Sequence, residues 1–122
     1  MNFKITWIDC NIVVEFFNEL NIDQLIQVSN IIYGDSRLDE MKYQIFDFTK
    51  VSNVNLTSKE VAIISALDTG ATNWNKSVKV ASIATDSYMK QMINEYTKGM
   101  QDTKWVSTTF ENIIEAKKWV SL

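Results

Sequence analysis

The chain contains no histidine and no proline, one cysteine and three glycines among its 122 residues. Each shortage excludes something. Without histidine it lacks the commonest general base at neutral pH and the commonest transition-metal ligand. A single cysteine, Cys10, cannot close an internal disulfide, so a reducing cytoplasm is the simplest setting. Without proline, no turn or linker is locked by a pyrrolidine ring. Positive charge is also in short supply: 12 Lys and Arg stand against 15 Asp and Glu, a net charge of -3. This argues against nucleic acid as a partner, because neutralising phosphates requires clustered basic residues. Lys117-Lys118 is the only adjacent basic pair and reads as a solvated helix face. No apolar run approaches the roughly 20 residues of a membrane span. The N-terminus alternates and shows no charged start followed by an apolar block, so no signal peptide is expected.

What is present reads as an ordinary globular domain over residues 1–122, with a hydrophobic fraction of 46% and length enough for one core. Phe3, Ile5 and Trp7 alternate with Lys4 and Thr6, the period of a half-buried strand. Asp9-Cys10-Asn11 makes a hairpin connection. Residues 12–17 form a second, antiparallel strand. Asn21 and Gln24 then mark a helix start as cap and third residue, with Ile22, Leu25, Ile26, Ile32 and Tyr33 at helical spacing. Gly34 is the expected left-handed stop, and residues 35–42 read as a loop.

The next stretch organises the chain. Residues 43–49 form a strand with apolar groups on both faces, which places it centrally in a sheet. Residues 50–56 read as a polar connection. Thr57 and Glu60 have capping-box spacing, and the helix they open carries Val61, Ile64, Leu67 and Ala71 as its buried stripe. In an α/β sheet, ligands and modifications gather where a strand ends and a helix begins. Asp47 lies in the strand itself. It is either bonded to nearby backbone N–H groups or a site residue at the carboxyl edge of the sheet.

Residues 78–84 are nearly continuous apolar sequence, a strand covered on both faces. Thr85 or Asp86 caps the following helix, with Tyr88, Met89, Met92, Ile93 and Tyr96 inward and Gly99 at its end. Residues 105–110 form a shorter, more polar edge strand. Thr108 and Glu111 have capping-box spacing before a last helix with Ile113, Ile114, Ala116, Trp119 and Val120. The order is β-β-α-β-α-β-α-β-α. It predicts an α/β fold with a five-stranded mixed sheet, right-handed crossovers and four helices.

From Tyr43 onward this order and these residues resemble the STAS domain, named for sulphate transporters and anti-sigma-factor antagonists. They are more similar still to the small bacterial proteins grouped as STAS/SEC14-like. The resemblance rests on Asp47-Phe48-Thr49-Lys50-Val51 at a strand exit and on Ala84-Thr85-Asp86 after an apolar strand. It rests also on Phe110, Glu111, Glu115, Ala116 and Trp119 in the last helical segment. It implies a STAS-like fold and a regulatory module without a cofactor. Regulatory members are phosphorylated by a partner kinase on a serine just after the loop, which switches binding to that kinase. The corresponding segment here is Asn55-Leu56-Thr57-Ser58. Leu56 occupies the expected serine position, and Thr57 the position of a second serine.

Two functions follow as expectations. The first is a non-enzymatic protein-protein interaction module, with Asp47, Asn55, Thr57, Ser58 and Asp86 as candidate phospho-acceptor or ligand-binding residues and a protein partner or a second copy bound. A phosphate at Thr57 or Ser58 would meet the positive end of a helix. The second is a small-molecule or lipid-binding domain of SEC14-like type. Its apolar ligand would lie among Trp7, Phe16, Phe17, Trp74, Tyr88, Tyr96 and Trp105. Enzymatic chemistry finds little support: there is no Gly-rich phosphate loop and no metal-ligand spacing. Cys10 sits in a turn with no base beside it. A phosphoaspartate receiver needs a lysine after a late strand, whereas Lys104 precedes its strand. For a homodimer, Phe17, Trp74 and Trp119 or the edge at residues 105–110 would supply the contact.

Overall fold

The computed structural model describes residues 2–121. Two strands open the chain, β1 (Phe3–Ile8) and β2 (Asn11–Asn21), followed by α1 (Ile22–Tyr33) and a 3₁₀ turn at Ser36–Glu40. Then come β3 (Tyr43–Asn55), α2 (Ser58–Ala71), β4 (Lys79–Ile83), α3 (Ser87–Gly99), β5 (Val106–Phe110) and α4 (Ile113–Val120). The strands lie in the order β1-β2-β3-β4-β5. β1 and β2 are antiparallel, and every later pairing is parallel. The sheet is therefore mixed, with β3 central and β5 on an edge, as the alternation of strands and helices predicts.

Side-chain alternation divides the sheet into two faces. Ile12, Val14, Phe16 and Phe48 point to one face, where α1, α2 and α3 cover them. Ile45, Ala81 and Ile83 point to the other, where Ala116, Ile113 and Trp119 of α4 meet them. Three helices on one face follow from right-handed crossovers between strands laid down in sequence order. At the hairpin, Asp9 takes φ 55°, a left-handed conformation that aspartate tolerates better than most residues.

The structure corrects several boundaries. β2 runs on to Asn21, and residues 50–55, expected as a loop, continue β3. The pairing of these extensions shifts register between Glu15/Phe17 and between Asn18/Glu19, each time with an extra residue on β3. Asn18 accommodates the second shift at φ 64°, and the Ser52 hydroxyl donates to the Asn18 carbonyl at 3.3 Å. The bulge resets the phase, so Val51 and Val54 both reach the core although they are three residues apart.

The helix ends also differ in detail. Gly34 caps α1 at φ -82°, a right-handed conformation, so no left-handed glycine is needed there. The cap of α4 lies four residues beyond its expected position: Asn112 caps it by accepting from the Glu115 N–H at 2.9 Å, while Thr108 stays in β5. In α2 the buried residues are Val61, Ser65, Asp68 and Ala71, and Leu67 is 39% exposed. Trp119 packs against Phe110 with ring centroids 5.5 Å apart and does not form an open apolar patch, whereas Trp74 is 70% exposed.

Candidate functional site

The carboxyl end of the sheet assembles three helix starts. Asn55, the last residue of β3, lies opposite Asn21, the cap of α1. Thr57 caps α2 reciprocally: its hydroxyl accepts from the Glu60 N–H at 3.2 Å, and its own N–H donates to Glu60 Oε1 at 3.0 Å. Ser58 is the first helical residue and is exposed. Asp86 caps α3 by accepting from the Met89 N–H at 2.9 Å. The two later starts are joined directly, because the Tyr88 hydroxyl donates to the Leu56 carbonyl at 2.6 Å. Asn55, Thr57, Ser58 and Asp86 therefore share one exposed polar rim.

Asp47 stands apart from that rim. It is the last β3 residue paired on both sides, with Glu15 of β2 and Ile83 of β4. It shares the α4 face with Ile45, two residues before it. Its Oδ1 accepts from the Thr49 N–H at 2.9 Å and from the Thr49 hydroxyl at 2.7 Å, which places it in a local turn at the bulge. Leu56, which stands where the resemblance places a serine, is buried and belongs to the core. The Thr57 hydroxyl also donates to Glu60 Oε1 at 3.3 Å, so a phosphate there would break the cap and face a carboxylate. Of the two hydroxyls, only that of Ser58 lies outside the capping box.

A second constellation escaped the sequence reading. Between α1, α2, α3 and the sheet lies a cavity of about 70 Å³, walled by residues that include Val28, Ile32, Phe46, Phe48, Met92 and Ile93. Its polar groups come from Ser29, Gln44, Ser82, Asp68, Tyr33 and Tyr96. Asp68 is buried, and the hydroxyls of Tyr33 and Tyr96 donate to its two carboxylate oxygens. Burial pushes the Asp68 carboxyl up to about 7, while the hydrogen bond from Tyr96 pulls it down. Burial, then the neighbouring Asp68 charge, pushes the Tyr96 hydroxyl above its ordinary range. Of the aromatic residues expected around an apolar ligand, only Tyr96 lines this cavity; Tyr33, Phe46 and Phe48 complete the aromatic wall. Trp7 instead lies beneath the Arg37 guanidinium, 3.7 Å from its ring centroid. The signal for Asp68 was its phase: it follows Val61 by seven residues and precedes Ala71 by three, both spacings of one helix face.

Among the described residues, no group of three or more His, Cys, Asp and Glu side chains could hold a metal ion. Among them, too, no helix is long and apolar enough to cross a membrane.

No family model matches the sequence, and no curated protein matches it. Solved structures do share its fold. One is an uncharacterised protein of the DUF3478 family with a SpoIIAA-like fold from Shewanella loihica PV-4. It is 14% identical, with 97% of this chain and 91% of that one covered and a TM-score of 0.54. Another is the anti-sigma factor antagonist SpoIIAA in its unphosphorylated form. It is also 14% identical, with 98% of this chain and 97% of that one covered and a TM-score of 0.58. The chain has the STAS-like, SpoIIAA-like fold.

Proposed function

We propose that the protein is a non-enzymatic regulatory module of the cytoplasm that acts by binding another protein through the rim formed by Asn55, Thr57, Ser58 and Asp86. The observation that carries this reading is the Tyr88–Leu56 hydrogen bond, which holds two helix starts and their exposed polar residues as one surface. The likeness to an anti-sigma factor antagonist supports it. Asp47 takes no part in this surface, and Ser58 is its phospho-acceptor. A phosphate on Ser58 would meet the unpaired N–H groups of the first turn of α2 and the positive end of its dipole.

The test is photocrosslinking in the host cell from a probe placed at residue 58, with residue 118 on α4 as the control position. A discrete partner captured at 58 and absent at 118, and lost on Asn55→Ala with Asp86→Ala, is the expected result. Equal capture at both positions removes the assignment of the rim.

One observation favours a second reading, a small-molecule-binding domain of SEC14-like type. The interior cavity holds an apolar wall with a few convergent polar groups, the usual composition of a ligand site.

A further inference from the structure

Asp68 is a buried carboxylate whose partners are both neutral. Tyr33 approaches from α1 and Tyr96 from α3, and these are the only titratable groups among the residues that line the cavity with it. The sheet contributes Gln44, Phe46, Phe48, Val80 and Ser82, none of them charged. On α3, Glu95 lines the separate outer groove between α2 and α3. Arg37 pairs with Asp35 and Lys90 with Glu111, both away from Asp68. A carboxylate removed from water takes up either a proton or a cation. Here the space beside it is open, while the residues that line it supply no cation.

We propose that the cavity binds a small organic cation, a short alkylammonium group, whose ammonium pairs with the Asp68 carboxylate while its alkyl body lies against Val28, Ile32, Phe46 and Met92. This rests on the second reading above and names its ligand class. Size sets the limit on the body. A water-sized position needs about 10–15 Å³ of such space, so the cavity of about 70 Å³ has about five to seven such positions and limits the ligand to a short alkyl body. Besides Asp68 and the two tyrosines, the polar groups that line the cavity are Gln44 and the hydroxyls of Ser29 and Ser82, and the rest of the wall is apolar. The two tyrosines hold the carboxylate in place without neutralising it, which leaves the charge for the ligand.

The experiment uses n-butylammonium and 1-butanol, which have equal numbers of non-hydrogen atoms and differ in charge. Each is titrated at pH 8 into methyl-labelled protein, and the methyl signals of Met89, Met92 and Ile93 are followed. Butylammonium is expected to bind at least tenfold more tightly. Asp68→Asn is expected to abolish that preference while 1-butanol still enters. On wild type, butylammonium is expected to bind roughly tenfold more weakly at pH 6 than at pH 8. The proton and the ammonium compete for one carboxylate, and the amine stays charged throughout. If Asp68→Asn does not fold, the pH comparison on wild type carries the test, because neutral 1-butanol is expected to bind equally at pH 6 and pH 8, and an equal pH response of the two probes overturns the assignment of Asp68. Equal or tighter binding of 1-butanol overturns the cation assignment and leaves the cavity as a ligand site. Entry of neither probe overturns both.

Discussion

The hydroxyl of Tyr88 donates to the backbone carbonyl of Leu56 at 2.6 Å, so the first turn of α3 is fastened to the residue that precedes the cap of α2. The Leu56 side chain is 4% exposed and anchored in the core, so its carbonyl is a fixed acceptor. Tyr88→Phe removes one hydrogen bond and little else. It should lower stability by about 1 kcal/mol, measured by urea unfolding. Amide exchange should quicken at residues 55–58 and not in α4. Unchanged exchange there would show that the two helix starts are not coupled.

The Thr57 cap makes a second, separable contribution. Thr57→Ala removes the acceptor for the Glu60 N–H and should cost about 1 kcal/mol. Glu60→Ala removes the reciprocal bond. Because the two residues form one box, the double variant should lose less than the sum of the singles. Thr57→Asp keeps the acceptor and should stay near wild type. Additive losses in the double-mutant cycle would contradict the reciprocal arrangement.

Close approach of α2 and α3 depends on Gly99. A β-carbon there would stand 2.6 Å from Ser65 Oγ and 2.7 Å from Ser65 Cβ. Gly99→Ala should therefore destabilise the protein by about 1–3 kcal/mol through overpacking. Ser65→Ala cannot relieve the clash, since it keeps the β-carbon. Ser65→Gly can, and in the Gly99→Ala background it should restore part of the loss. A neutral Gly99→Ala would mean that the helices separate freely at this point. At Gly70, by contrast, a β-carbon would meet nothing within 4 Å, so that glycine marks no contact.

Most of the architecture was legible because each signal was local. Asn21, Thr57 and Asp86 cap the helices their sequences announce, and the apolar run at residues 78–84 becomes an inner strand with its neighbours on both sides. The extension of β3 was not legible, since the bulge at Ser52 breaks the period of two and leaves Val51 and Val54 looking like loop residues. The rim could be named from sequence because a cap is a short-range pattern. The Tyr33–Asp68–Tyr96 cluster joins residues 28 and 35 positions apart, and nothing local announces such a meeting. Leu67 was the more hydrophobic choice for the inward face of α2. Asp68 takes that face because two tyrosines on the neighbouring helices satisfy its carboxylate, while Leu67 turns outward.

That exchange gives the protein a pH dependence of definite sign. Below about pH 3.8 the Asp68 carboxyl is protonated in folded and unfolded chains alike and contributes no slope. Between 3.8 and about 7 the unfolded chain releases the proton and the folded protein keeps it. Rising pH therefore favours unfolding across this window, and the loss is complete above about pH 7. At about 1.4 kcal/mol per pH unit the total is on the order of 4 kcal/mol. Asp35, held down to about 2 by the Arg37 side chain, and Glu111, lowered by Lys90, act in the opposite direction. Asp35 loses its contribution only as pH falls below 3.8, outside this window, whereas Glu111 begins to lose its contribution as pH falls below 4.5, at the window's lower end. Asp68→Asn removes the titrating group and keeps its shape, so its stability should be nearly flat from pH 5 to pH 7 while wild type declines. Urea unfolding of both proteins at half-unit pH steps measures the difference. Parallel profiles would show that Asp68 keeps its charge in the folded protein at ordinary acidity, and with it that a cation or water already reaches the cavity.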